Sequence, residues 1–156
     1  MGRVEFKAEV EVRCTPERAF DYFADHRHVA AVVDGVTRWE PIGARTRGIG
    51  ARYDVEMSAF GLPLKSVLRI NQWRRPEVIG WVSESGPIKQ DGGFRFEAIS
   101  QKTRGSRSHP AVRIELRIAY EPPASFIGAA VAARMDWMVR RRLKRALESI
   151  RDVLES

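Results

Sequence analysis

Cysteine is all but missing from this chain, with Cys14 the only one in 156 residues. A lone cysteine excludes an intrachain disulfide and a cysteine-built zinc site, and nothing here calls for an oxidising compartment. Histidine is scarce too: the three are His26, His28 and His109, and they make no His-Glu-x-x-His pattern. His26 and His28 flank Arg27 at the start of a short helical segment, where rings two positions apart diverge by about 200°. No metal and no cofactor is therefore expected. Gly-x-Ser-x-Gly and Walker phosphate loops are absent, and Gly48-x-Gly50 lacks the third glycine of a dinucleotide fingerprint. No stretch reaches the ~18 apolar residues of a membrane span. The first residues, MGRVEFKAEVEVR, alternate charge with apolar side chains, so no signal peptide is expected. Position 6 is Phe rather than Ser or Thr, which gives no support to myristoylation. A cytoplasmic location is the expectation.

Basic charge, by contrast, is in excess: 27 Lys and Arg against 20 Asp and Glu give a net charge of +7. Two readings stay open, an Arg-rich surface without a partner and attraction to an anionic membrane or RNA. No DNA partner is predicted. Much of the excess sits between residues 134 and 151, where Arg134, Arg140, Arg141, Arg142, Lys144, Arg145 and Arg151 face only Asp136 and Glu148.

Alternation organises most of the chain. Val4, Phe6, Ala8, Val10 and Val12 alternate with charged residues, the pattern of a half-buried strand. Thr15-Pro16 then opens a short helix, with Thr as N-cap and Pro in the first turn. Asp25 caps a second short helix bearing Val29, Val32 and Val33. About six strands follow, with apolar alternation in Val36–Gly43, Arg52–Met57, Leu64–Trp73, Val78–Glu84, a strand opened by Asp91-Gly-Gly93, and Val112–Glu121. The polar segment Gln101–Pro110 reads as an exposed hairpin loop. Pro122-Pro123 stops the sheet, and a helix is expected from Ser125 to about Glu155, roughly 45 Å long. The pattern predicts one α+β domain over 1–156: a curved antiparallel sheet of about seven strands under a long C-terminal helix, with two short helices after strand 1.

This order resembles the START-like, helix-grip superfamily, and within it the bacterial polyketide cyclase/dehydrase-like group. The phrases that carry the resemblance are Thr15-Pro-Glu-Arg-Ala-Phe-Asp-Tyr-Phe, Gly48-Ile-Gly-Ala-Arg-Tyr-Asp-Val, Gln72-Trp-Arg-Arg-Pro-Glu-Val-Ile-Gly-Trp and Pro122-Pro-Ala-Ser-Phe-Ile-Gly. The resemblance implies a ligand cavity between helix and sheet, in a superfamily of lipid carriers, quinone-binding proteins, aromatic polyketide cyclases and ribosome-associated toxins.

The candidate ligand-binding residues follow from alternation on the inner face. They are Tyr53, Met57, Leu68, Ile70, Phe94 and Phe96 from strands, with Met135 and Met138 from the helix. The small residues Gly128, Ala130 and Ala132 permit close packing or leave room for a ligand. Trp39, Trp73, Trp81 and Trp137 are read as core or rim rather than as stacking platforms, and Asp54 and Glu56 as solvated. Cys14 reads as a packing residue. No catalytic set is nominated; Ser66, Gln72 and Tyr53 are the only polar groups expected on the inner face, and none is a strong base. The first functional expectation is binding or carriage of a hydrophobic small molecule such as a lipid, isoprenoid or polyketide. The alternatives are a polyketide cyclase or dehydratase, and a toxin-like or regulatory protein contacting RNA or the ribosome.

Overall fold

In the computed structural model, the described residues are 3–59, 61–102, 108–121 and 129–156. The chain runs through β1 (Val4–Val12), α1 (Pro16–Ala24), a 3₁₀ turn (His26–His28), α2 (Val29–Val32) and β2 (Val36–Ile42). It continues through β3 (Arg52–Ala59), β4 (Leu62–Arg74), β5 (Val78–Ser85), β6 (Lys89–Lys102) and β7 (Ser108–Glu121) to α3 (Ala129–Glu155). The strands form one antiparallel sheet in the order β1-β7-β6-β5-β4-β3-β2.

α1 and the 3₁₀ turn start where side chains satisfy the first free N–H groups, whereas α2 continues from the turn with no side-chain cap, so Asp25 caps the turn and not the second helix itself. The Thr15 hydroxyl accepts from Arg18 N at 3.2 Å, and Asp25 Oδ1 accepts from Arg27 N at 3.0 Å. These helices carry the chain from β1 at one sheet edge to β2 at the other, because a hairpin cannot join strands that far apart. α1 buries Ala19, Phe20, Phe23 and Ala24 against the concave face. α3 lies along the same face, burying Met135, Leu143, Ala146, Leu147, Ile150 and Leu154. Its far end is fastened to the end of β1, where Arg13 N donates to Glu155 Oε2 at 2.9 Å. The helix thus grips the sheet.

Several strand limits depart from the sequence pattern. The ladders of β6 and β7 include Gln101 paired with His109 and Ser100 with Pro110, so the ends of the expected hairpin loop are strand. Residues 103–107 lie outside the described residues, as does the stretch 122–128 that includes the expected start of the long helix at Ser125; described helix begins at Ala129. The side chains of Ala130 and Ala132, and Gly128 itself, fall outside too.

The main departure is in β4. Its pairing with β5 shifts register between Ile70 and Gln72: Ile70 stands opposite Trp81, yet Gln72 stands opposite Gly80. One extra residue in a ladder inverts the parity beyond it. Ile70 points in, Trp73 packs on the core, and Gln72, expected inside, lies exposed over Gly80. At the outer edge, β2 has its own register shift between Val36 and Arg38 and carries Pro41.

Candidate functional site

A cleft lies between α3 and the sheet. From the helix it takes Met135, Met138, Val139, Arg142 and Leu143. These recur at 3- and 4-residue spacing, which places them on one helical face. The sheet supplies Met57 from β3, Leu64, Lys65 and Ser66 from β4, and Ile118 and Tyr120 from β7. Pro87, Ile88 and Gln90 close it at the start of β6, and Val33 and Asp34 at the end of α2. Its volume is about 80 Å³. One water needs ~10–15 Å³ on such a measure and ~30 Å³ of liquid, so the cleft holds about five to eight waters. That is roughly 150–240 Å³ of liquid, enough for a two-ring aromatic or a short acyl chain.

A second void of about 20 Å³ sits deeper on the same concave face. Tyr53, Ile70 and Phe94 line it, together with Phe23, His26 and the indoles of Trp39, Trp73 and Trp81. Phe94 stacks on Phe23 with centroids 4.2 Å apart, and Trp39 meets Trp81 edge to face at 5.9 Å. Trp81 needs Gly92 beside it, since a Cβ there would stand 2.5 Å from Arg117 O and 3.0 Å from Trp81 Cζ2. His26 Nδ1 and Trp81 Nε1 are buried without a hydrogen-bond partner among the described residues.

Val55 and Leu68 separate the two spaces. On β3 Met57 faces the cleft and Tyr53 the void, with Val55 between them; on β4 Ser66 and Ile70 flank Leu68 in the same way. Both partition residues are fully buried. Of the residues expected at the ligand, the structure therefore brings Met57, Met135 and Met138 together at the cleft. Tyr53, Ile70 and Phe94 gather at the void, and Leu68 and Phe96 sit in solid core.

Periodicity alone missed the loop residues Val33, Asp34, Pro87 and Ile88, because their approach depends on the sheet's curvature. Lys65, Gln90, Tyr120 and Arg142 are further polar groups of the wall that it missed. Tyr120 is the last apolar-phase residue of its strand, and its hydroxyl donates to Asp136 Oδ1 at 2.9 Å. Burial, then the bond to Asp136, holds this phenol well above its ordinary range, so at neutral pH it is a fixed proton donor and not a base. Burial also raises the Tyr53 phenol, whose hydroxyl donates to Thr46 O at 2.5 Å. His28 is stacked on Tyr22 at 4.1 Å with Nδ1 2.7 Å from Tyr22 O, a structural placement. Cys14 is buried, which pushes its thiol up, as suits a packing residue. No group of three metal-ligating side chains occurs among the described residues.

The sequence matches the family model described as polyketide cyclase / dehydrase and lipid transport over residues 3–155. The chain belongs to this family. Solved structures agree on the fold. A protein of Thermus thermophilus superposes with a TM-score of 0.76 at 16% identity, covering 96% of this chain and 95% of that one. The Zhui aromatase/cyclase of Streptomyces sp. R1128 gives 0.74 at 14% identity, covering 99% and 94%. The major latex-like protein 151 of Panax ginseng gives 0.67 at 10% identity, covering 99% of each. No curated protein matches the chain. The fold is thus common to a cyclase and to a plant protein, and by itself it does not select a chemistry.

Proposed function

We propose that residues 1–156 form one domain that binds and carries a hydrophobic small molecule, a lipid, isoprenoid or polyketide, in the cleft under α3. The observation that supports this most is the cleft wall, where ten apolar residues, Met57, Ile118, Met135 and Met138 among them, outnumber six polar ones. In this reading Met57, Met135 and Met138 touch the ligand. Tyr53, Ile70 and Phe94 bound the deeper reserve of space, and Leu68 and Phe96 support the wall. A cytoplasmic location belongs to the same reading, since the single buried thiol of Cys14 needs no oxidant.

The test is a titration with the uncharged fluorophore N-phenyl-1-naphthylamine. Met138→Trp fills the cleft from a half-buried position and should weaken binding about tenfold or more, with the thermal melt shifted little. Unchanged affinity in a folded variant would move the ligand elsewhere.

Cyclisation or dehydration of a polyketide is the second reading, and Tyr120 is the wall group that bears on it: its phenol stays protonated, but its one proton is donated to Asp136, so it would polarise a ketone only by giving up that bond. That chemistry also needs a base at the substrate. No imidazole lines the cleft, His26 lines the void beyond the Val55–Leu68 partition, and Asp34 is engaged with Arg145 at 3.5 Å. Carriage is therefore preferred.

The basic helix adds a partner to this reading. Arg134, Trp137, Arg141 and Lys144 recur at spacings of 3, 4 and 3 and are all exposed, Trp137 by 61%. Arg141 lies 5.0 Å over the Trp137 ring, and none of the three cations pairs with a carboxylate among the described residues. An indole between cations suits the boundary of an anionic bilayer, where each basic side chain contributes about 1 kcal/mol. Sedimentation with vesicles should show binding to anionic but not neutral lipid at low salt, lost in Trp137→Ala/Arg141→Gln/Lys144→Gln. Binding to RNA with no binding to vesicles would replace the membrane by the regulatory alternative.

A further inference from the structure

We propose that the ligand of the cleft is an amphipathic carboxylate, a short fatty acid or an aryl carboxylate of about two rings, whose headgroup pairs with Arg142. This rests on the reading of the cleft as the binding site.

Arg142 differs from the other cations of α3 in where it points. Arg140 lies over the Phe6 ring at 5.0 Å, Arg141 lies over Trp137, and Arg145 reaches Asp34. Arg142 alone among these arginines lines the cleft, on the helical face shared by Met138 and Val139. Its seat is specific: the guanidinium rests against Gly35, at φ +88°, where a Cβ would collide with its Cζ, Nη1 and Nε. Yet among the described residues it makes no hydrogen bond and no ion pair. Asp34 is the nearby carboxylate, and its contact is with Arg145.

A half-buried guanidinium has lost water from donors that the protein leaves unfilled. Burial pulls the affinity of Arg142 for its proton down, and Asp34 pushes it back up, so the group stays cationic at neutral pH. A carboxylate in the cleft supplies two oxygens to that fork, the strongest arrangement open to an arginine. The methionines and valine beside it then cover the hydrocarbon. Size and charge set the class. The cleft admits only a short chain or two rings, and the two cations on its wall, Arg142 and the exposed Lys65, are offset by Asp34, which leaves a net single positive charge for a singly charged headgroup.

The experiment compares octanoate with octan-1-ol by calorimetry at neutral pH, on the wild type, Arg142→Met and Arg142→Lys. The wild type should bind octanoate roughly tenfold or more tighter than the alcohol, from one charge-assisted contact. Arg142→Met should lose the preference for octanoate over the alcohol, and Arg142→Lys should restore part of it. No preference in the wild type, or one that survives in Arg142→Met, overturns the proposal while alcohol binding still upholds the cleft. Should Arg142→Met fail to fold, the wild-type comparison and Arg142→Lys decide alone. Failure of both compounds to bind the wild type overturns the cleft reading as well.

Discussion

A chain ending at Ala124 is expected to aggregate and not to fold. The missing helix buries five large side chains, Met135, Leu143, Leu147, Ile150 and Leu154, each at most 4% exposed. At ~1.5–3 kcal/mol for each buried side chain, α3 contributes about 8–15 kcal/mol. The whole stability of a domain is only ~5–15 kcal/mol. Nothing else among the described elements is long enough to cover the concave face, which would be left as one continuous apolar surface. Size-exclusion chromatography and a urea melt of the 1–124 fragment check this. A monomer with a cooperative transition would contradict the view that helix and sheet fold as one unit.

Leu68→Ala should have the next largest effect, with two consequences that run in opposite directions. Leu68 is 1% exposed and stands in the partition between the cleft and the aromatic void. Cutting it to Ala removes buried hydrocarbon and leaves a cavity, which costs about 2–5 kcal/mol. The same cut joins the two spaces. Ligands too long for the cleft, such as a three-ring aromatic, should then bind more tightly than to the wild type even as the melting temperature falls. Binding that drops in step with stability would show that the partition does not limit ligand length.

The sheet and both cap signals could be read from the sequence because each rests on local periodicity. Val4 to Val12 and Val112 to Tyr120 alternate cleanly, and they pair in one unbroken register from Val4 opposite Tyr120 to Val12 opposite Val112. Thr15 and Asp25 are caps whose chemistry is complete within three residues. The bulge at Asn71 could not be read, because nothing in Ile-Asn-Gln-Trp says that one residue will be skipped; only the partner strand fixes that. Gln72 was accordingly placed on the wrong face. The inner surface was legible as a list of apolar residues but not as two compartments. What assigns Met57 to the cleft and Tyr53 to the void is the depth of Val55 and Leu68 between them, a packing property. Arg142 was hidden by its neighbours, since in a run of three arginines only the helix's rotation against the sheet decides which one turns inward.

The open edge at β2 has a consequence for how the molecule lives in a crowded solution. A sheet that does not close into a barrel leaves a border strand able to recruit another copy, strand upon strand, without limit. Here that border is blunted three ways: the register shift at Thr37 bends it, Arg38 and Glu40 charge it, and Pro41 removes a donor from its backbone. Growth of fibre-like stacks from this side is interrupted at the first added strand. On this border the sheet can stay splayed, rather than sealed, without recruiting a second copy.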